Sequence, residues 1–289
     1  MTQCPSPTPI GLTRQLFGDP LILAPLQFRT AQELCAACRD YHALWPYRRL
    51  SQMVLGIEGT ADVVQNLFKQ VTPQGGRVLI TGSADAGILA MTADATKELE
   101  PSIDVVDRCP TPLATCRRYA EMHGLSFTPL QLEMRHNLPP HLYDVVFGDC
   151  FQQFMPRSDR VDLLRRLARV MTEHGTLIFV ERLRTGREER SRRKDHALET
   201  LDALAARGIE LPEDRDSFRQ RLEWTANARR ERLGPESDRL ESVLVEAGFH
   251  VSALDDAERQ RTGILPNGES VTMEIAVASP DGPVRTITS

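Results

Sequence analysis

From Arg77 to Leu183 the chain alternates between two hydrophobic patterns. Short runs, RVLIT, IDVVD, SFTPLQL, YDVVFGD and TLIFVERL, are separated by ILAMTADATKEL, PLATCRRYAEMHG and RVDLLRRLARVMTEHG, in which apolar positions recur at helical spacing. Strands that are apolar throughout, without in-and-out alternation, are covered on both faces. The pattern therefore predicts a parallel sheet with helices on each side. Gly124 and Gly175 stand where a left-handed residue would close two of these helices.

The flanks read differently. The first thirty residues are rich in Pro and carry no clear period. Thr30 is placed as the N-cap of a helix over AQELCAACRDYHALW that Pro46 ends, and a second helix runs from about Thr60 to Val71, before Pro73, Gly75 and Gly76. Beyond Leu183 the alternation breaks for the charged run RTGREERSRRKDH and the helical ALETLDALAARG and FRQRLEWTANARRERLG, too long for an ordinary connection and read as an inserted helical cap. The Arg-rich run from Arg182 to Lys194 contains Glu188 and Glu189 and reads as a solvated helix with internal pairs, with a grip on an acidic substrate as the alternative. SDRLESVLVEAGFHVSALDD and SVTMEIAVAS then supply a helix, a strand and a final strand able to return antiparallel. The expected organisation is a helical lid over 1–75, a Rossmann-like core over 76–185 and 236–280, an insert over 186–235 and a tail over 281–289.

Composition narrows the function classes. With 289 residues and 41% hydrophobic content, one large core with appendages is expected. A net charge of -5 argues against nucleic acid as a partner. No apolar run approaches the roughly 20 residues that cross a bilayer, and MTQCPSPTPIGLT lacks the features of a secretion signal, so the reading is a cytoplasmic protein away from membranes. A small-molecule substrate is the expected partner, and a homodimer is allowed. Six scattered cysteines do not suggest a disulfide framework. Cys35 and Cys38 have CxxC spacing, but no second pair follows and a helix would place both on one core face, so no metal is expected. The histidines form no HxxxH or HxH pair and need no further role.

The chemistry concentrates at the ends of the expected strands. After the first strand, Gly82-Ser83-Ala84-Asp85-Ala86-Gly87 offers small residues and a following helix N-terminus, which suits an anionic group. IDVVD ends on Asp107, with Arg108 beside it, where a carboxylate can accept both ribose hydroxyls of an adenosine cofactor; the plainer reading is a helix-capping Asp. Glu133 and Met134 follow the third strand, placed for an adenine amino group and ring face or simply for the surface. The fourth strand delivers Asp149 and Cys150 to the sheet's carboxyl edge, Asp149 either to orient a cofactor amine, to take a proton or to cap the next segment. Phe151 and Phe154 read as core or pocket wall.

VLITGSADAG, IDVVDRCPTPL, LQLEMRHNLP, YDVVFGDCFQQFMP and HGTLIFVERL, in this order and spacing, resemble the successive motifs of class I S-adenosylmethionine-dependent methyltransferases. The resemblance implies a doubly wound seven-stranded sheet with a terminal antiparallel strand. It implies the cofactor carboxylate at the first turn, Gly82, Ser83, Ala84 and Gly87, ribose at Asp107, adenine near Glu133 and Met134, and the reacting centre beside the fourth strand with Asp149 and Cys150, Arg108 being a further cofactor-binding residue. Two departures stand out: Ile80 replaces the usual acidic residue of the first strand, and Ala84 and Ala86 replace usual glycines. The resemblance implies S-adenosylmethionine as cosubstrate, without a metal, and methyl transfer to a small acceptor in specialised metabolism. Trp45 and Tyr47 lie where such enzymes place a lid, or simply pack on the domain. Two alternatives stay open. In one, an azetidine-2-carboxylate synthase, the cofactor's own amine displaces methylthioadenosine, and Asp149 or Tyr143 keeps that amine neutral. The other is a non-catalytic binder of the cofactor. A nicotinamide dehydrogenase is disfavoured because the first turn is not GxGxxG.

Overall fold

A computed structural model describes residues 20–35, 38, 40–150, 155–183, 196–232, 240–252, 254, 256–265 and 270–280. Among the described residues, α1 (Ala24–Leu34), α2 (Tyr41–Leu50) and α3 (Ala61–Val71) precede the sheet. The alternating region follows as β1 (Arg77–Thr81), α4 (Gly87–Thr96), β2 (Ser102–Asp107), α5 (Pro110–His123), β3 (Thr128–Gln131), β4 (Tyr143–Asp149), α6 (Arg157–Ala168) and β5 (Met171–Leu183). The insert contributes α7 (His196–Ala206) and α8 (Arg215–Arg232). The chain then returns through α9 (Leu240–Glu246), β6 (Phe249–Val251), α10 (Asp256–Arg259), β7 (Gln260–Ile264) and β8 (Ser270–Pro280).

The strands form an eight-stranded sheet in the order β3-β2-β1-β4-β5-β8-β6, with β7 beside β8. β1 to β5 are parallel and β8 runs antiparallel to β5. The central strands bury both faces. Val78, Ile80, Val145, Phe147, Ile178 and Val180 point into one core with α3, α4 and α5. Leu79, Val146, Leu177 and Phe179, one residue out of phase, point into a second core with α6 and α9. Continuous apolar runs are what a sheet packed on both sides requires.

The structure departs from expectation in four places. The seven-stranded sheet gains an eighth strand: β6 pairs with Ala278 to Pro280 of β8, and β7 pairs with Ser270 to Glu274 farther along the same strand. Its sequence QRTGI is short and mostly polar, so its pairing comes from the β8 backbone. The helix expected from Thr30 to Pro46 is two helices, with Thr30 inside α1, Cys35 as its C-cap, and Pro46 inside α2. Pro46 has no N–H to give the His42 carbonyl one turn back, and the buried side chain of Gln27 in α1 donates to that oxygen instead at 2.8 Å. The orphaned acceptor is satisfied from outside, so the helix continues. The third helix of the alternation ends at Ala168, and Gly175 lies within β5 rather than at a left-handed cap. A side chain at Gly175 would meet the Tyr143 carbonyl at 3.0 Å, so close strand approach explains this glycine. Gly124 does close α5 in the left-handed region, with φ 64°. Finally, α3 belongs to the sheet and not to a lid: Val64, Leu67 and Phe68 enter the first core, and Phe68 meets Phe147 edge-on at 5.4 Å.

A third core lies outside the sheet. Phe28 and Leu44, Tyr47, Leu201, Leu204, Phe218 and Leu222 join α1, α2, α7 and α8, with Phe28, Tyr47 and Phe218 ring centroids 5.3 to 6.2 Å apart. Helices α1 and α2 and the insert are thus one cap. The Arg-rich run from Arg184 to Lys194 lies outside the described residues, as do Phe151 and Phe154. No helix among the described residues is long and apolar enough to cross a membrane. Phe218→Ala removes the centre of the cap core, at a cost of about 3–5 kcal/mol. Amide exchange should accelerate in α1, α2, α7 and α8 and stay slow in β1 and β4; equal loss of protection in the sheet would refute a separately packed cap.

Candidate functional site

The carboxyl ends of β1, β2 and β4 open into a cavity of about 550 Å³. The position is the one that open parallel sheets offer to ligands, where strand ends and helix N-termini converge. Gly82 leaves β1 with φ 74°, a left-handed conformation that any side chain would strain, and its N–H donates to the Val106 carbonyl at 2.8 Å. The chain thereby turns Ser83 and Ala84 into the cavity wall. The Ser83 N–H donates to Asp107 Oδ2 at 3.0 Å, and the Cys109 N–H to Asp107 Oδ1 at 2.7 Å, so the first turn and the tip of β2 are held together by one carboxylate. Burial raises the Asp107 pKa, against the influence of His42 and of these two amides.

The first turn is also anchored from the cap. Arg49 of α2 is buried and donates to both oxygens of Asp85 at 2.7 and 2.6 Å, while Nε donates to Glu58 at 3.0 Å. Asp85 in turn accepts the Gly87 N–H at 2.7 Å. Gln27 adds a second tie, donating to the Ala84 carbonyl at 2.7 Å. A side chain at Gly87 would meet the Arg49 guanidinium at 2.6 Å and Asp85 at 2.9 Å, and one at Gly56 would meet Arg49 Nε at 3.1 Å. Both glycines make room for this ion pair.

At the end of β4, Asp149 and Cys150 form the floor. Cys150 adopts φ 52°, an uncommon conformation for a side chain with a β-carbon, and Asp149 Oδ1 is buried with no hydrogen-bond partner. Burial, offset in part by the Cys150 thiol and reinforced by the charge of Glu58, pushes the Asp149 pKa up to about 6. On another wall Glu133 is committed to Arg135, two bonds of 3.1 Å that hold its pKa low, and Arg108 approaches it at 3.7 Å; Met134 supplies buried apolar surface. The cap roofs the cavity with Tyr41 and Trp45, stacked at 5.7 Å, and with Trp224 and Thr225 from α8.

Gly82, Ser83, Ala84, Asp107, Arg108, Glu133, Met134, Asp149 and Cys150 all line the cavity. Gly87 does not; it faces Arg49. Tyr143 does not either, because it begins β4, at the opposite end of the strand from Asp149. Its fully buried hydroxyl donates to Asp104 at 2.7 Å, so it has no route to a proton in the cavity. Of the two aromatics expected near the lid, Trp45 reaches the cavity and Tyr47 packs in the cap core.

Arg49, its pairing with Asp85 and the roof of α8 carry no signal in the sequence, because the residues that meet there lie far apart along the chain. The surroundings of Cys35 and Cys38 are likewise made by folding. These do not share a helix face: Cys35 closes α1, Cys38 lies in the following turn, and with His42 and Cys109 they place four ligand-type atoms within 4.8 Å of one another. His42, four residues past Cys38, was the legible signal; Cys109 became adjacent only through folding.

Breaking a buried pair leaves an uncompensated charge, at a cost of about 3–5 kcal/mol. Arg49→Ala and Asp85→Ala should each lower denaturant stability by that amount. The double variant should lose far less than the two losses added together, because each removes the same interaction; simple additivity would show that the pair is not coupled.

No family model matches the chain, and no curated protein matches it. Among solved structures, an S-adenosylmethionine-dependent methyltransferase from Clostridium acetobutylicum is similar with TM-score 0.50 and 8% identity, over 82% of this chain and 96% of that one. TehB from Haemophilus influenzae follows with TM-score 0.47 and 13% identity, over 76% and 62% of the two chains. A mitomycin 7-O-methyltransferase has TM-score 0.44 and 16% identity over 76% of this chain, which spans 54% of that enzyme's length. The parallel strands, the antiparallel β8 between β5 and β6, and the likeness to the Clostridium structure give this chain the doubly wound α/β fold of the class I S-adenosylmethionine-dependent methyltransferases.

Proposed function

We propose that the cavity binds S-adenosylmethionine and that the protein transfers its methyl group to a small-molecule acceptor. The observation that carries this reading is the joint between the first turn and β2. Left-handed Gly82 donates to the Val106 carbonyl and the Ser83 amide donates to Asp107, so the first turn and the carboxylate at the tip of β2 share one wall of a roofed cavity. In this reading Ser83 and Ala84 approach the methionine portion, Asp107 holds the ribose, Met134 lies against the adenine, and Glu133, tied to Arg135, shapes that end. Asp149 lies where a cationic ligand gains most from a neighbouring anion. Tyr41 and Trp45 line the roof, and aromatic rings there also suit a sulfonium.

Methyl transfer from a sulfonium is a single displacement, so the protein needs to align the acceptor behind the methyl carbon and exclude water. The cap serves both needs, and a roof built from two separate parts of the chain favours a small acceptor over a macromolecule.

Titration of the protein with S-adenosylmethionine in a calorimeter should give binding that Asp107→Ala weakens by about tenfold or more. Unchanged affinity in that variant would remove Asp107 from the site. Below its raised pKa, Asp149 is protonated and its attraction for a cation is lost; above it the carboxylate is charged. Affinity should therefore rise between about pH 5 and about pH 7.5, and Asp149→Asn should flatten that rise. With no acceptor present, S-adenosylmethionine should be recovered intact by mass spectrometry. Enzyme-dependent methylthioadenosine and a new cyclic amino acid would overturn methyl transfer in favour of intramolecular displacement.

A further inference from the structure

The seam between cap and sheet holds a second constellation, and its geometry is that of a metal site. Cys35 ends α1, Cys38 lies in the turn after it, His42 is in the first turn of α2, and Cys109 stands directly before α5. Two stretches of chain, residues 35–42 and Cys109, converge there so that all four ligand-type atoms lie within 4.8 Å of one another. Cys35 Sγ is 3.4 Å from His42 Nδ1 and 3.5 Å from Cys109 Sγ. Tetrahedral zinc with arms of about 2.3 Å to sulfur separates its ligand atoms by about 3.8 Å, close to these spacings. A disulfide would need sulfurs at about 2.05 Å, so the thiols are gathered rather than joined.

The donor set also selects the ion. Three thiolates and an imidazole are soft to intermediate ligands that favour zinc over magnesium or calcium, whose sites are built from oxygen. Four protein ligands complete a tetrahedron and leave no open position, which is the signature of a structural site. Cys35, His42 and Cys109 are buried and Cys38 is partly so. Zinc with three thiolates carries one net negative charge. Arg108 lies beside it, its guanidinium 3.9 Å from Cys38 Sγ, placed to donate to a bound thiolate and offset that charge.

We propose that Cys35, Cys38, His42 and Cys109 bind one zinc ion in a closed tetrahedral site that fastens the cap to the sheet. On binding, the three thiols release their protons to solvent, three zinc–sulfur bonds and one zinc–nitrogen bond form, and no atom changes oxidation state. Cys35, Cys38 and His42 come from the cap, whereas Cys109 follows β2 and donates its N–H to Asp107. The ion therefore fixes the roof relative to the cavity wall. Cys38 and His42 also line the cavity, so the ion would lie against its wall, but the four ligands are assigned from their own geometry and not from what the cavity binds.

The test uses the full chain, produced in zinc-supplemented medium, purified under reducing conditions without chelator and exchanged into metal-free buffer. Plasma mass spectrometry should find about one zinc per chain. Cys109→Ser and His42→Ala should lower that to a small fraction, and Cys116→Ala, which alters a cysteine outside the cluster, should leave it unchanged. Wild-type protein refolded without oxygen in the presence of cobalt should develop the sulfur-to-cobalt charge-transfer band and the intense visible bands of tetrahedral thiolate coordination. Wild-type protein that retains no zinc and gives no such spectrum would overturn the proposal even if every variant failed to fold. Mapping of a Cys35–Cys109 disulfide in the freshly purified protein would also overturn it. Neither readout involves S-adenosylmethionine, so failure here is distinct from failure of the cofactor reading.

Discussion

The buried guanidinium of Arg49 is the constraint around which the site is arranged. A charge taken out of water must meet partners of opposite sign with its hydrogen bonds directed at them, and Arg49 meets Asp85 and Glu58. Asp85 lies in the turn that follows β1, so neutralising a cap residue also sets the course of the chain through the first turn. Gly56 and Gly87 are small because that pair fills the space beside them. The usual acidic residue of the first strand is replaced by Ile80, which is fully buried, while the acidic contact to the turn comes from within the turn itself.

Gln27 shows how closely cap and turn depend on each other. One buried amide donates to the His42 carbonyl, freed by Pro46, and to the Ala84 carbonyl in the turn. A proline that would ordinarily end α2 is accommodated by the same side chain that holds the cavity wall. Aromatic packing of Phe28, Tyr47 and Phe218 then binds the insert to these helices. Burial takes the Asp149 carboxylate out of water into a medium of lower effective dielectric constant, which raises its pKa and strengthens its pull on a cation when ionised.

The alternation of strands and helices was legible along the chain because both faces of β1, β4 and β5 are buried, which leaves no polar position to interrupt their apolar runs. Asp107, Glu133, Met134 and Asp149 were legible as cavity residues for a related reason: in a parallel sheet every strand ends on the same edge, so the residue that follows each run is delivered to one place. The β7 strand was not legible, since a short polar segment gains its hydrogen bonds from a neighbour that its own pattern does not specify. The misplacement of Tyr143 has a comparable origin. Its side chain enters the core at the far end of β4, where Asp104 accepts its hydroxyl, a contact that no local pattern encodes.

By itself the sequence determined the parallel sheet, the order of its central strands and helices, and the residues at the sheet's carboxyl edge, because these follow from local periodicity and strand direction. The tertiary structure alone decided that α1, α2 and the insert form one cap, that Arg49 reaches Asp85, and that Cys109 joins Cys35, Cys38 and His42. Each of these depends on segments distant along the chain being brought within a few ångströms, and neither periodicity nor spacing carries that distance.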